Sequence, residues 1–222
     1  GPRSREILQA VTSYDMSHSH FPFMHSREIV IAGATVRATR ITYVGELGWE
    51  IYIPIALGAT VWDSLISSGE AFAMKVCGYR AIESLRLEKG YRAWGVEIST
   101  ETNPFEAGLG FAVALNKETF IGKEALLACK ENLHRKLVPI LFDDLRQVPL
   151  GNEPIRVGAE IIGRIKSGGQ GYSINKAIAY AYLPLAHCEI GTAVAVEFFG
   201  DWRNGVVAAE PLFDPTGSKI RM

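Results

Sequence analysis

Ile7, Leu8 and Val11 recur at helical spacing, so residues 3–12 read as a short helix, followed by a polar, histidine-containing loop from Ser13 to Ser26. Two β-branched runs, Glu28 to Ile31 and Thr35 to Thr42, flank Ala32-Gly33-Ala34 and predict a hairpin. Trp49 to Pro54 alternates as a third strand. Ala59, Trp62, Leu65 and Ile66 then recur at helical spacing and predict an amphipathic helix ending near Ser68-Gly69. A second helix is expected from Gly78 to Leu87. Strands followed by helices, without βαβ alternation, indicate an α+β domain.

Asn103 to Leu109 reads as a turn feeding an apolar strand, Phe111 to Leu115, and Phe120 to Leu127 reads as the last helix of this unit. From Lys136 the texture changes. Short β-rich segments (137–142, 160–166, 177–182, 193–198 and 205–209) alternate with Gly, Pro and Asn turns, the signature of a small all-β sandwich or barrel. A boundary near residue 133 follows, giving domains of residues 1–133 and 134–222. Ser167-Gly168-Gly169-Gln170-Gly171 lacks the GxxxxGK[ST] spacing of a phosphate loop and is expected to be a wide hairpin loop.

Composition adds mainly exclusions. The 222 residues are 48% hydrophobic with a formal net charge of -1, ordinary globular values that give no basic footprint for nucleic acid or an anionic membrane. No apolar run approaches the ~20 residues that span a bilayer. Cys77, Cys129 and Cys188 are widely spaced and read as core thiols of a reducing compartment. The chain opens on Gly1-Pro2-Arg3-Ser4 without an initiator Met, which suggests a piece of a longer polypeptide.

The densest chemistry lies in Thr42 to Glu50, where a glycine turn delivers Tyr43, Trp49 and a carboxylate, Glu50, into a short strand. Gly45 and Gly48 are expected to let the backbone turn sharply, with Glu46 facing solvent. A carboxylate there accepts paired hydrogen bonds from a neighbouring N–H and NH2, as a pterin or guanine edge offers. A plain hairpin with a surface Glu and a core aromatic is the competing account. Arg80 opens the second helix, where the positive dipole end also favours an anion. Arg86, six residues on, points elsewhere, and surface or intra-helix pairing with Glu83 or Glu88 competes for both arginines. Tyr91, Arg92 and Trp94 offer a stacking surface or simply core. His18, His20 and His25 lack a metal-binding pattern and read as a solvated loop.

Taken in order, Tyr43-Val44-Gly45-Glu46-Leu47-Gly48-Trp49-Glu50, Gly78-Tyr79-Arg80-Ala81, Leu85 to Gly95, Asn103 to Leu109, Phe120 to Leu126 and Ala177 to Tyr182 resemble one pattern across nearly the whole chain. It is that of the glycine-cleavage T-protein (aminomethyltransferase) family, in the version fused to FAD-dependent dimethylglycine and sarcosine dehydrogenases. The resemblance implies a tetrahydrofolate-binding region, followed by a C-terminal β-barrel, that accepts a one-carbon unit to give methylene-tetrahydrofolate. It places Glu50 on the pterin's amino edge, Tyr43 in the pterin pocket and Arg80 on the folate, with Trp94 as a further contact. FAD would belong to an upstream dehydrogenase domain, and the setting would be a mitochondrial matrix or a bacterial cytoplasm.

The same resemblance puts a catalytic aspartate upstream of Gly1, and Asp15, Asp63, Asp143 and Asp144 stand in no matching context. A chain of this extent is therefore expected to bind folate weakly or not at all and to be inactive alone. Two other roles suit the superfamily: a non-catalytic module like the regulatory subunit of pyruvate dehydrogenase phosphatase, and a stand-alone folate-dependent demethylase or RNA-modification factor.

Overall fold

The structure, a computed structural model, describes residues 1–222 and divides into two compact units, Gly1–Ile82 with Asp214–Met222, and Glu83–Phe213.

The first unit begins with helix α1 (Ser4–Gln9) and a three-stranded antiparallel sheet of β1 (Ser26–Ile31), β2 (Ala34–Thr39) and β3 (Glu50–Tyr52), in the order β1-β2-β3. The predicted hairpin closes on only two residues, Ala32 (φ 50) and Gly33 (φ 80), because two successive left-handed residues match the twist of the flanking strands. Ile29, Ile31, Ala34, Val36 and Ala38 point inward and pack with Leu8, Met16, Phe21 and Val61, the last from helix α2 (Gly58–Glu70). The other sheet face is polar. Ser26 Oγ bonds Thr39 Oγ1 at 3.0 Å, Arg37 donates to Glu28 at 3.3 Å, and the Tyr52 hydroxyl donates to Glu50 Oε2 at 2.8 Å. Helix α3 (Tyr79–Lys89) begins in this unit.

The second unit contains the rest of α3, helix α4 (Lys123–Glu131) and six strands: β4 (Arg135–Phe142), β5 (Pro154–Val157), β6 (Glu160–Gly171), β7 (Lys176–Pro184), β8 (Ala193–Phe198) and β9 (Asp201–Val207). They close into a barrel in the order β4-β7-β6-β5-β8-β9, which settles the choice between sandwich and barrel and leaves no open edge. Val138, Ile140, Phe142, Ile155, Ile165, Ala179, Leu183, Val196 and Val207 fill its interior. On its outside Leu87 packs with Leu137, Ile178, Tyr180 and Tyr182.

Two expectations are corrected here. Phe111 to Leu115 is not a strand: Gly110–Ala112 form a single 3-10 turn, with the Phe111 side chain 87% exposed. Ser167 to Gly171 is not a loop but the end of β6, paired to Ala177 and its neighbours on β7. Its glycines serve close approach, as a Cβ on Gly168 would sit 2.4 Å from the Pro149 carbonyl oxygen and one on Gly169 2.7 Å from Leu87 Cδ1.

Candidate functional site

The turn from Thr42 to Trp49 is held from within. Val44 N–H donates to Thr42 Oγ1 at 3.2 Å, Gly45 takes φ 71, and Leu47 is buried as the anchor. Gly45 is thus required by conformation. Gly48 is not: its φ is not positive, and an added Cβ would meet its nearest atoms at 3.8 Å, an ordinary contact. Glu46 departs from expectation as well. Its side chain is 19% exposed and accepts from Lys219 Nζ at 3.4 Å, so it faces inward rather than into solvent.

Glu50 opens β3 opposite Thr39, on the polar sheet face, and its side chain is exposed. Strand alternation sends Trp49 inward against the core of this unit and Glu50 outward. The hydrogen bond from Tyr52 leaves Glu50 with open acceptor sites, since an ionised carboxylate offers about four lone-pair positions. The Tyr52 phenol is raised above its ordinary value by that hydrogen bond and by the Glu50 charge, which keeps it a donor. Tyr52 was not anticipated, although its place two residues after Glu50 in an alternating strand was the signal available.

Tyr43 is 38% exposed in the same unit. Arg80 lies in the first turn of α3, exposed and without an ion pair, so its guanidinium is available to an anion. Glu50 and Arg80 are not paired with each other. Trp94 belongs to the second unit, 69% exposed beside a cavity of about 120 Å3 lined by Ile98, Ser99, Thr102, Asn103 and Pro104.

The other charged residues of this stretch do structural work. Arg86 is 1% exposed and donates to Glu97 Oε1 at 2.5 Å, to the Tyr91 carbonyl at 3.0 Å and to Glu83 at 3.1 Å, so the expected intra-helix pairing with Glu83 is present but as part of a buried network that Glu97 joins. Arg92 pairs through both guanidinium nitrogens with Glu210 and faces the Tyr180 ring, so it is not an open stacking surface. Glu88 Oε1 accepts from the backbone N–H groups of Ser173 at 2.6 Å and Ile174 at 3.3 Å. Of the histidines, His18 meets Arg40, His20 meets Asp15, and His25 meets Arg27.

Comparison with known proteins accounts for both units. Residues 1–117 match the family model described as the GCVT N-terminal domain, and residues 135–214 match the glycine cleavage T-protein C-terminal barrel domain. The chain is 39% identical over 225 residues to human mitochondrial dimethylglycine dehydrogenase, covering 100% of this chain and 26% of that protein. It is 38% identical over 216 residues to an aminomethyltransferase of Symbiobacterium thermophilum, covering 96% of this chain and 57% of the relative. The crystal structure of glycine cleavage system aminomethyltransferase T from Bartonella henselae superposes with a TM-score of 0.83 at 27% identity, over 95% of this chain and 57% of that one. The chain thus spans about a quarter of the dehydrogenase and little more than half of the aminomethyltransferase.

Proposed function

The chain belongs to the glycine-cleavage T-protein (aminomethyltransferase) family, and from that premise we propose that it is the tetrahydrofolate-binding, one-carbon-accepting region of an FAD-linked dimethylglycine or sarcosine dehydrogenase. The observation that carries the reading is Glu50: an exposed carboxylate with open acceptor sites, on the strand reached through the Gly45 turn, while Tyr43 and Arg80 are exposed in the same unit. In this reading Glu50 accepts the paired N–H and NH2 donors of the pterin edge, held in orientation by the Tyr52 hydroxyl. Tyr43 lines the ring and Arg80 binds the anionic tail. Bound tetrahydrofolate supplies the acceptor nitrogen chemistry that yields methylene-tetrahydrofolate.

Residues 1–133 would form the folate-binding domain and residues 134–222 the barrel domain. FAD and its dehydrogenase chemistry would reside in the remainder of the relatives' length. The relatives include mitochondrial and bacterial proteins, and on that basis we assign the protein to a mitochondrial matrix or a bacterial cytoplasm.

Calorimetric titration with tetrahydrofolate tests the site. The polypeptide carrying the dehydrogenase region should bind, and Glu50→Ala should weaken binding by at least tenfold while leaving FAD-dependent oxidation intact. Unchanged folate affinity in Glu50→Ala would remove Glu50 from the site. The 222-residue chain alone is expected to bind weakly, and tight binding with turnover would overturn that expectation.

A further inference from the structure

Strand β6 changes partner along its length. Its first residues, to Arg164, pair with β5, and those from Ile165 pair with β7. Each ladder slips register once, opposite Ile155 and Arg156 on β5 and between Ile165 and Ser167 on β6, and both slips leave an extra residue on β6, Ile162 and Lys166. Such bulges re-aim side chains. Ile162 and Ile165 turn into the barrel core, while Ile161, Arg164 and Lys166 are exposed. The β6–β7 ladder stops at Ile165 opposite Ala181, although β7 runs on to Pro184. At that end lies an open cavity of about 740 Å3, lined by Arg135 of β4, by Ile161, Arg164 and Lys166 of β6, and by Tyr182 and Pro184 of β7.

The lining is cationic, with His134 beside the two arginines and the lysine, and it includes no Asp or Glu. Only Arg135 has a carboxylate partner. Its Nε donates to Glu106 Oε1 at 2.9 Å and its Nη2 to the Glu101 carbonyl at 3.3 Å, and its guanidinium carbon lies 4.9 Å from the Tyr182 ring centroid, which leaves Nη1 to act as a donor. Arg164 donates one Nη to the Asn152 carbonyl at 2.9 Å and pairs with no acid. Lys166 pairs with none either. Glu153, on the neighbouring segment, is taken up by the N–H groups of Leu150 at 2.7 Å and Gly151 at 2.8 Å. The three cations Arg135, Arg164 and Lys166 set against Glu106 leave two positive charges in excess. Ile161, 52% exposed, and Pro184 give the same cavity an apolar wall.

We propose that this cavity binds a small phosphorylated molecule, its phosphate held by Arg164, Lys166 and Arg135 and its organic part resting against Ile161 and Pro184. None of these residues is among the proposed folate contacts. A phosphate monoester carries about -1.5 to -2 charge near neutral pH, which matches the excess, whereas a single carboxylate would leave one cation uncompensated. Its three terminal oxygens point in different directions. That suits an ammonium and two guanidinium groups arriving from two strands better than the single plane of a carboxylate. A cavity of about 740 Å3 lies within the range of small-molecule sites and exceeds what a phosphate alone would fill.

Backbone amide NMR titration of the 222-residue chain at constant ionic strength tests this with three probes. Phenyl phosphate presents a dianion on an apolar body, inorganic phosphate the dianion alone, and benzoate the same body with one carboxylate. Phenyl phosphate should shift the amides of Ile161, Arg164, Lys166 and Tyr182 saturably. Inorganic phosphate and benzoate should each bind at least about fivefold more weakly, for want of the apolar contact and of the second charge. Lys166→Gln should weaken phenyl phosphate by at least about fivefold, and Lys117→Gln, outside the cavity, by less than twofold. Arg164→Gln also releases the Asn152 carbonyl, so Lys166, which makes no bond within the chain, is the deciding position. No saturable shift, shifts that leave those four amides in place, benzoate or inorganic phosphate within fivefold of phenyl phosphate, or a Lys166→Gln effect no larger than that of Lys117→Gln would overturn the proposal.

Discussion

Replacing Arg86 by Met isolates the most deeply buried charge network of the second unit. The side chains of Arg86 and Glu97 are each 1% exposed and joined at 2.5 Å. Glu97 keeps one further bond in the variant, from the Ala93 N–H to its Oε2 at 2.8 Å, but loses its only cationic partner. The Tyr91 carbonyl, 3.0 Å from Arg86 Nη1, is orphaned too. Removing one partner of a buried pair costs about 3–5 kcal/mol, because the remaining charge stays desolvated and uncompensated. For a chain of this size that corresponds to a fall in Tm of roughly 6–20 °C.

The double variant Arg86→Met/Glu97→Met decides whether the penalty comes from the stranded carboxylate or from lost packing. Removing the second charge should restore about 2 kcal/mol or more relative to the sum of the single variants, leaving the orphaned Ala93 N–H and Tyr91 carbonyl as the residual cost. Arg86→Lys should not rescue, since one ammonium cannot serve Glu83, Glu97 and the Tyr91 carbonyl from the guanidinium positions. Urea unfolding supplies the free energies, and amide exchange of β4 and β7 confirms that the second unit is the one affected. A single-variant cost below about 1 kcal/mol, or strict additivity in the double variant, would refute the reasoning.

Gly45→Ala should cost about 1–2 kcal/mol, the price of a left-handed conformation at φ 71, while Gly48→Ala should be close to neutral; equal effects in thermal unfolding would contradict the assigned backbone geometry. Gly168→Ala should cost about 1–3 kcal/mol by overpacking, since its Cβ meets a backbone oxygen of Pro149 that cannot swing aside, and a Tm at or above that of the parent would count against the close approach. Burial raises the Tyr180 phenol strongly and the charge of Glu210 adds to it. A raised folded pKa means stability that is complete below the unfolded phenol's value of about 10 and declines as pH climbs past it. Tyr180→Phe should therefore flatten the alkaline limb of a stability–pH curve while losing about 1 kcal/mol at neutral pH with the hydrogen bond to the Leu87 carbonyl; an unchanged alkaline limb would show that another group controls it.

What sequence could and could not convey divides along one physical line, the separation in the chain between a residue and what satisfies it. The hairpin at Ala32-Gly33, the helix carrying Trp62 and most barrel strands are local patterns, so period and turn chemistry located them within a few residues. The partners of charged residues on α3 and just after it are not legible in sequence because they lie far along the chain: Glu88 is bound by Ser173 and Ile174, and Arg92 by Glu210. The run Ser167 to Gly171 failed for a related reason. Its glycines mark close approach by Pro149 and Leu87, and a glycine needed for proximity looks, in sequence, the same as one needed for a turn. Gly45 and Gly48 repeat that ambiguity within four residues, one required by its φ and the other free to carry a side chain. The motif around them combines two neighbouring chemistries for the same reason: strand alternation puts the legible one, Glu50, on the open face. The other, Trp49 between the Arg5 and Arg40 guanidinium groups, is assembled inside from residues up to 44 positions apart that follow none of the spacing rules by which a motif is read, so only the three-dimensional structure brings them together.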